Sequence, residues 1–242
     1  MRIETPGGNE ICNFDDWAKI YDTPKEKVHW KKGRSAYSAA EFIMNRDGVN
    51  AIRSRVSEAL NKLVTFERVV PEHEVRFDKF GKGRIHDIGM YGTTDTGESV
   101  FVGVEAKVDE PFGPSVLDAY LAAKVKQISG TTTNAPERIE KLLTMHFPKP
   151  DKSMFDLRYQ LLYATAGTIS AGADISVLYV IVFDTSLYDA SIGEDNYRDY
   201  MQFMSKVGAT PLELPCKEAQ GHGVELQGEK LTCLYEKIEL SR

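Results

Sequence analysis

The sequence predicts a mixed α/β fold, a central mixed sheet flanked by helices, in one domain covering residues 1–242. Three observations predict it. A helical stretch precedes three strand-like runs separated by glycine-containing turns. The nearly all-apolar run ISVLYVIVF (175–183) reads as a strand covered on both faces. Helical patterns lie between and after these strands, so the elements interleave around one core.

In chain order, residues 1–34 form a polar N-terminal extension anchored by Trp17 and Trp30. Ser35 or Ser38 caps a helix through Asn45, and Gly48 marks a break. Val49, Ile52, Val56, Leu60 and Leu63 recur at three- and four-residue spacing, an amphipathic helix to about Val64. Strands follow at 72–80, 84–91 and 98–108, joined as a meander by turns at 81–83 and 92–97. Pro111, Gly113 and Pro114 end the third strand. Helices are predicted at 115–128, 137–146 and 155–170, then the buried strand, a helix at 194–206, and short strands at 210–214, 224–226 and 231–238. A helix and strands thus occupy residues 185–242, after the buried strand.

A formal net charge of −6 excludes a global attraction to nucleic acid or to an anionic membrane. A nucleic-acid partner therefore requires a local basic patch. Cys12, Cys216 and Cys233 are too few and too dispersed for a disulfide framework, and no Cys-x-x-Cys pair suggests zinc. The first residues lack a signal-peptide apolar region, and no apolar run reaches the length of a membrane span. A cytoplasmic setting without membrane association is the expectation. The oligomeric state stays open, a homodimer among the options. No Walker or Rossmann loop and no Gly-x-Ser-x-Gly appears.

The chemistry concentrates at Glu105-Ala106-Lys107, the only Glu-x-Lys of the chain. On a strand, Val100, Val102, Val104, Ala106 and Val108 share one face, while Phe101, Gly103, Glu105 and Lys107 share the other. Antiparallel pairing of Asp87 with Glu105 centres the turn on Thr96, inside the turn-forming Thr-Asp-Thr-Gly. Taken singly these are solvated strand residues. Together they place two carboxylates side by side, which repel unless a cation lies between them. Oxygen ligands suit Mg²⁺ or Mn²⁺. Such an ion polarises a phosphoryl oxygen and activates water, with Lys107 placed to stabilise developing charge.

Asp87 followed by Glu105-Ala106-Lys107 resembles the signature of the PD-(D/E)XK nuclease superfamily, whose restriction-endonuclease-like core has a similar order of elements. The resemblance implies a core of about residues 35–184, with the helices at 115–146 as an insertion or an expanded connection. The helix bearing Arg158-Tyr159-Gln160-Leu161-Leu162-Tyr163 is similar to the Gln/Tyr helix of RecB-like, bacterial-type members. It departs from that motif in the three-residue step from Gln160 to Tyr163, and in His86 standing where a Pro often precedes the Asp. The resemblance implies a Mg²⁺-dependent phosphodiester hydrolase acting on nucleic acid, DNA favoured over RNA. It implies metal ligation by Asp87 and Glu105, with the Ala106 carbonyl as a further ligand, and catalysis by Asp87, Glu105, Lys107 and Gln160. It also implies an acid on the first core helix, Glu58, with Glu41 as fallback. The alternative is a nuclease-fold module that binds or assembles without cleaving.

Lys82, Arg84, Lys124 and Arg158 are the candidate nucleic-acid contacts, with Lys79 and Lys126 beside them. The segment 25–34 combines basic residues with Trp30. His73 and His86, flanked by acids, read as hydrogen-bonded strand histidines before they read as zinc ligands.

Overall fold

The computed structural model describes residues 1–23 and 27–240, so Lys25 and Glu26 of the basic segment lie outside the described residues. Strand β1 (Arg2–Ile3) and helix α1 (Phe14–Ala18) lead to α2 (Ser35–Asn45) and α3 (Gly48–Leu60). The meander follows as β2 (Val64–Val75), β3 (Arg84–Thr94) and β4 (Ser99–Lys107). Helices α4 (Val116–Ile128), α5 (Ala135–His146) and α6 (Tyr159–Ile169) connect β4 to β5 (Ile175–Asp184). The chain continues through α7 (Ala190–Lys206), β6 (Thr210–Leu212), β7 (Ala219–Leu226) and β8 (Glu229–Glu239).

The eight strands make one mixed sheet in the order β1-β2-β3-β4-β5-β8-β7-β6. Strands β4, β5 and β8 run parallel at its centre. Valine alternation on β4 and a doubly apolar β5 explain the two layers. Val100, Val102, Val104 and Ala106 join Val177, Tyr179 and Ile181 under α2 and α3. Leu178, Val180 and Val182 face the opposite way, onto α5, α6 and α7. Every residue of β5 except its ends is thus buried, as a central parallel strand requires.

The sequence places the first core strand too late. It begins at Val64, because Asn61 takes a left-handed backbone (φ 51°) and closes α3 one turn earlier than periodicity suggests. It ends at Val75, and residues 76–83 form an irregular loop. The C-terminal strands are not an appendage to a core of 35–184: β8 hydrogen-bonds to β5 and extends the same sheet.

Strands β7 and β8 close through Gln227-Gly228, both at positive φ (53° and 87°), which identifies a two-residue turn of the primed kind. Asn tolerates this conformation better than Gln. Gln227→Asn is expected to raise unfolding stability by about 0.5 kcal/mol, measured by urea denaturation; a loss of stability would contradict this turn.

Candidate active site

The polar face of β4 ends at Glu105 and Lys107, and both side chains are buried. Glu105 has no solvent exposure, so its charge must be met by protein groups. Arg84, at the start of β3, pairs its guanidinium with Oε1. Gln160, in the first turn of α6, donates Nε2 to Oε2 at 2.9 Å. His86 Nδ1 stands 3.5 Å from Oε1 without hydrogen-bond geometry. Burial alone would raise the Glu105 carboxyl, but Arg84, then His86 and Lys107, outweigh it and hold it at about 2. Burial also lowers the His86 imidazole, against the pull of Glu105. The Lys107 ammonium lies 5.4 Å over the Phe112 ring.

The β3–β4 ladder has the register that sets Asp87 opposite Glu105, running from Thr93↔Ser99 to Ile88↔Val104. There it stops. The Asp87 side chain accepts the Ala106 N–H at 2.7 Å and so stands in for a strand carbonyl. Parity does not survive this point. Ile88 packs in the α2/α3 core, yet His86, two residues earlier, packs on Phe101 of the other face. Strand β3 therefore turns over at Asp87. Strand β2 turns over beside it: Pro71 pairs with Ile88, His73 with His86, and Glu72 between them has a left-handed φ of 48°. Such a conformation in a non-glycine strand residue is strained and concentrates at functional sites. The paired irregularity swings Arg84 and His86 to the side where Glu105 points.

Glu72 is a third acid beside Asp87. Tyr21, from the N-terminal extension, donates its hydroxyl to Glu72 Oε1 at 2.5 Å. Burial pushes the Glu72 carboxyl up, and Glu105 adds to this. Burial and the Glu105 charge together carry Asp87 to about 7, with Glu72 contributing and Lys107 opposing. The surroundings of Asp87 thus disfavour its charged form, while Glu105 is neutralised by Arg84. Among the described residues, no three His, Cys, Asp or Glu side chains are grouped closely enough to hold a metal ion.

Glycines make the room for this constellation. A Cβ on Gly103 would lie 2.7 Å from the His86 ring, and one on Gly167 of α6 would lie 2.5 Å from Arg84 Cβ. A cavity of about 680 Å³ opens beside Lys62, Glu98 and Asp174, at the far end of β4 from Glu105, and has no part in the site.

Of the residues singled out in the sequence, Asp87, Glu105, Lys107 and Gln160 converge at one end of the sheet. Glu58 does not join them: it bonds Arg55 at 2.5 Å on the α2/α3 side, and Arg55 in turn bonds Glu236. Helical acids at the surface find neighbouring arginines one turn away. The fallback, Glu41, stands 3.8 Å from Arg46 and is not among the groups that perturb Asp87. Arg84 is largely buried and paired with Glu105. Arg158 is spent on Asp199 (2.7 Å) and the Gly113 carbonyl. Lys124 lies along its own helix over the Tyr120 ring. Lys82 is exposed, in the 76–83 loop. Tyr163 anchors that loop through its hydroxyl, donated to the Gly83 carbonyl at 2.9 Å. His73 bonds the Tyr91 hydroxyl at 2.6 Å. Glu72 was missed; its signal is an acid directly after the short apolar run Val69-Val70-Pro71.

No described helix is long and apolar enough to cross a membrane. A family model described as a domain of unknown function (DUF6946) matches residues 10–236, and the chain belongs to that family. No curated protein and no solved structure matches it.

Two outcomes follow from this packing. Gly103→Ala is expected to cost about 1–3 kcal/mol, and less in a His86→Ala background; equal costs in a double-mutant cycle would refute the His86 contact. Asp87 titrates near 3.8 when unfolded and at about 7 when folded. Its contribution to stability is complete below the lower value and lost as pH rises through the upper one, at about 1.4 kcal/mol per pH unit. Asp87→Asn keeps an acceptor for Ala106 and escapes that loss. Its melting temperature should exceed the parent's by a margin that widens from acid to neutral pH; a pH-independent margin would contradict the assignment.

Proposed function

We propose that this member of the DUF6946 family is a Mg²⁺- or Mn²⁺-dependent phosphodiester hydrolase of nucleic acids, built on a restriction-endonuclease-like core. The observation that carries the reading is the convergence of Asp87, Glu105, Lys107 and Gln160, from three separate segments, at the end of one strand pair. The donor chemistry fits: hard carboxylate oxygens suit Mg²⁺, which is commonly held by one or two carboxylates with water and substrate phosphate completing its shell. Asp87 and Glu105 would hold it, and a divalent cation would offset the burial and the Glu105 repulsion that push the Asp87 carboxyl up. A bound metal supplies a polarised phosphoryl oxygen and a water of lowered pKa.

The chain's own residues do the rest. Ala106 N–H fixes the Asp87 carboxylate, and Gln160 fixes Glu105. Lys107 places a cation on the same strand face as Glu105, where charge develops on the phosphate oxygens. Arg84 neutralises the Glu105 carboxylate that would share in holding the ion.

One observation favours a second reading. The Arg84 guanidinium already pairs with Glu105, as in a nuclease-fold module that binds without cleaving.

Purified protein with Mg²⁺ or Mn²⁺, assayed on single-stranded DNA, duplex DNA and RNA, tests both. The hydrolase reading expects metal-dependent cleavage, lowered at least about 100-fold by Lys107→Ala. Cleavage of no substrate, with retained nucleic-acid binding, would establish the module instead. A metal-induced rise in melting temperature that Asp87→Asn abolishes checks the ligand assignment independently of turnover.

A further inference from the structure

Residues 76–83, between β2 and β3, form an irregular loop that exposes Arg76, Lys79, Gly81 and Lys82, yet side chains from two helices hold it. Arg138 reaches across from α5 and is largely buried. It binds both Asp78 carboxylate oxygens at 2.8 Å, the Phe80 carbonyl at 3.0 Å and the Lys82 carbonyl at 2.9 Å. Tyr163 of α6 accepts from the same guanidinium at 3.0 Å and donates to the Gly83 carbonyl. Asp78 also accepts the Phe80 N–H, and Glu74 accepts the Gly83 N–H at 2.8 Å. The backbone polar groups of a surface loop are ordinarily left to water. Here two helices fix them.

The loop so fixed displays Lys79, Phe80 and Lys82. Lys79 and Lys82 are exposed, and Phe80 is half-buried. Two ammonium groups flank the Phe80 ring: Lys141 of α5 at 4.5 Å and Lys79 at 5.7 Å. The nearby acids are largely committed. Asp78 is taken by Arg138, Glu74 by Gly83 and, at 3.6 Å, by Arg76, while Glu137 stands 3.6 Å from Lys141. Among the described residues, Lys79 and Lys82 have no ion pair. A shallow cavity of about 510 Å³ lies within the loop, lined by Arg76, Lys79, Gly81 and Lys82 together with the committed acids Glu74 and Asp78. Arg84, which holds Glu105, follows the loop directly.

We propose that the 76–83 loop, with Lys141, is a docking surface for a single-stranded nucleic acid, Lys79, Lys82 and Lys141 meeting backbone phosphates and Phe80 stacking on an unpaired base. Cations around an aromatic face are the chemistry that binds single strands irrespective of sequence. In a chain of net charge −6, a rigid local cluster of this kind supplies the attraction that the whole molecule does not. The identity of the ligand rests on the hydrolase reading; the surface itself does not.

Fluorescence anisotropy with a labelled oligothymidylate and a duplex of equal length, in EDTA and over a salt series, tests it. Lys79→Ala with Lys82→Ala removes two phosphate contacts, and the slope of log affinity against log salt should shrink by about 1.4. Phe80→Ala should weaken the single strand roughly tenfold and leave the duplex unchanged, with melting curves confirming the fold. Unchanged affinity in the double lysine variant, or a Phe80→Ala variant that treats both nucleic acids as the parent does, overturns the proposal. Binding through the loop without metal-dependent cleavage sinks the hydrolase reading and leaves the surface standing. Cleavage with unaffected loop variants does the reverse.

Discussion

A carboxylate sealed from water organises the centre of this molecule. Glu105 lies in the middle layer of the structure, where an unpaired charge costs several kcal/mol, and its neighbours are arranged to meet that charge. Arg84 supplies the countercharge and Gln160 a hydrogen bond. Gly103 and Gly167 vacate the volume that His86 and Arg84 occupy. The turn-over of β3 at Asp87 follows from the same need, because regular alternation would aim His86 into the opposite layer. One buried charge thereby constrains three strands and a helix.

The two carboxylates at the strand ends have opposite fates. Glu105 is drawn below its ordinary range by Arg84 and its other cationic neighbours, and Asp87 is pushed far above its own by burial and then by the Glu105 charge. Paired titratable groups driven apart by their surroundings are a hallmark of functional sites, although structural ion pairs produce it too. The strained Glu72 beside them, bonded to Tyr21, belongs to the same electrostatic unit. It brings the N-terminal extension into contact with the strand ends.

Much of this was legible in the sequence, and the reasons are physical. Valine alternation on β4 and the turn at Thr96 are local signals, and together they set the β3–β4 register. The apolar run of β5 announced its own double burial. The start of β2 was not legible, since its first residues continue the apolar spacing of α3 and only the left-handed Asn61 separates them. Glu72 and Arg138 escaped for another reason. Each acquires its role from partners far along the chain, Tyr21 for the first and Asp78 for the second. Glu58 misled because a helical acid looks the same whether it faces a site or a neighbouring arginine.

The synchronous turn-over of β2 and β3 has a consequence for how this family can vary. Adding or removing a residue in one strand alone, on either side of Glu72 or Asp87, would leave the two irregularities out of step and the ladder between them broken. Length changes in this hairpin must therefore be absorbed in the 76–83 loop or occur in both strands at once. The strand pair behaves as a locked ratchet whose tooth is the acidic pair itself.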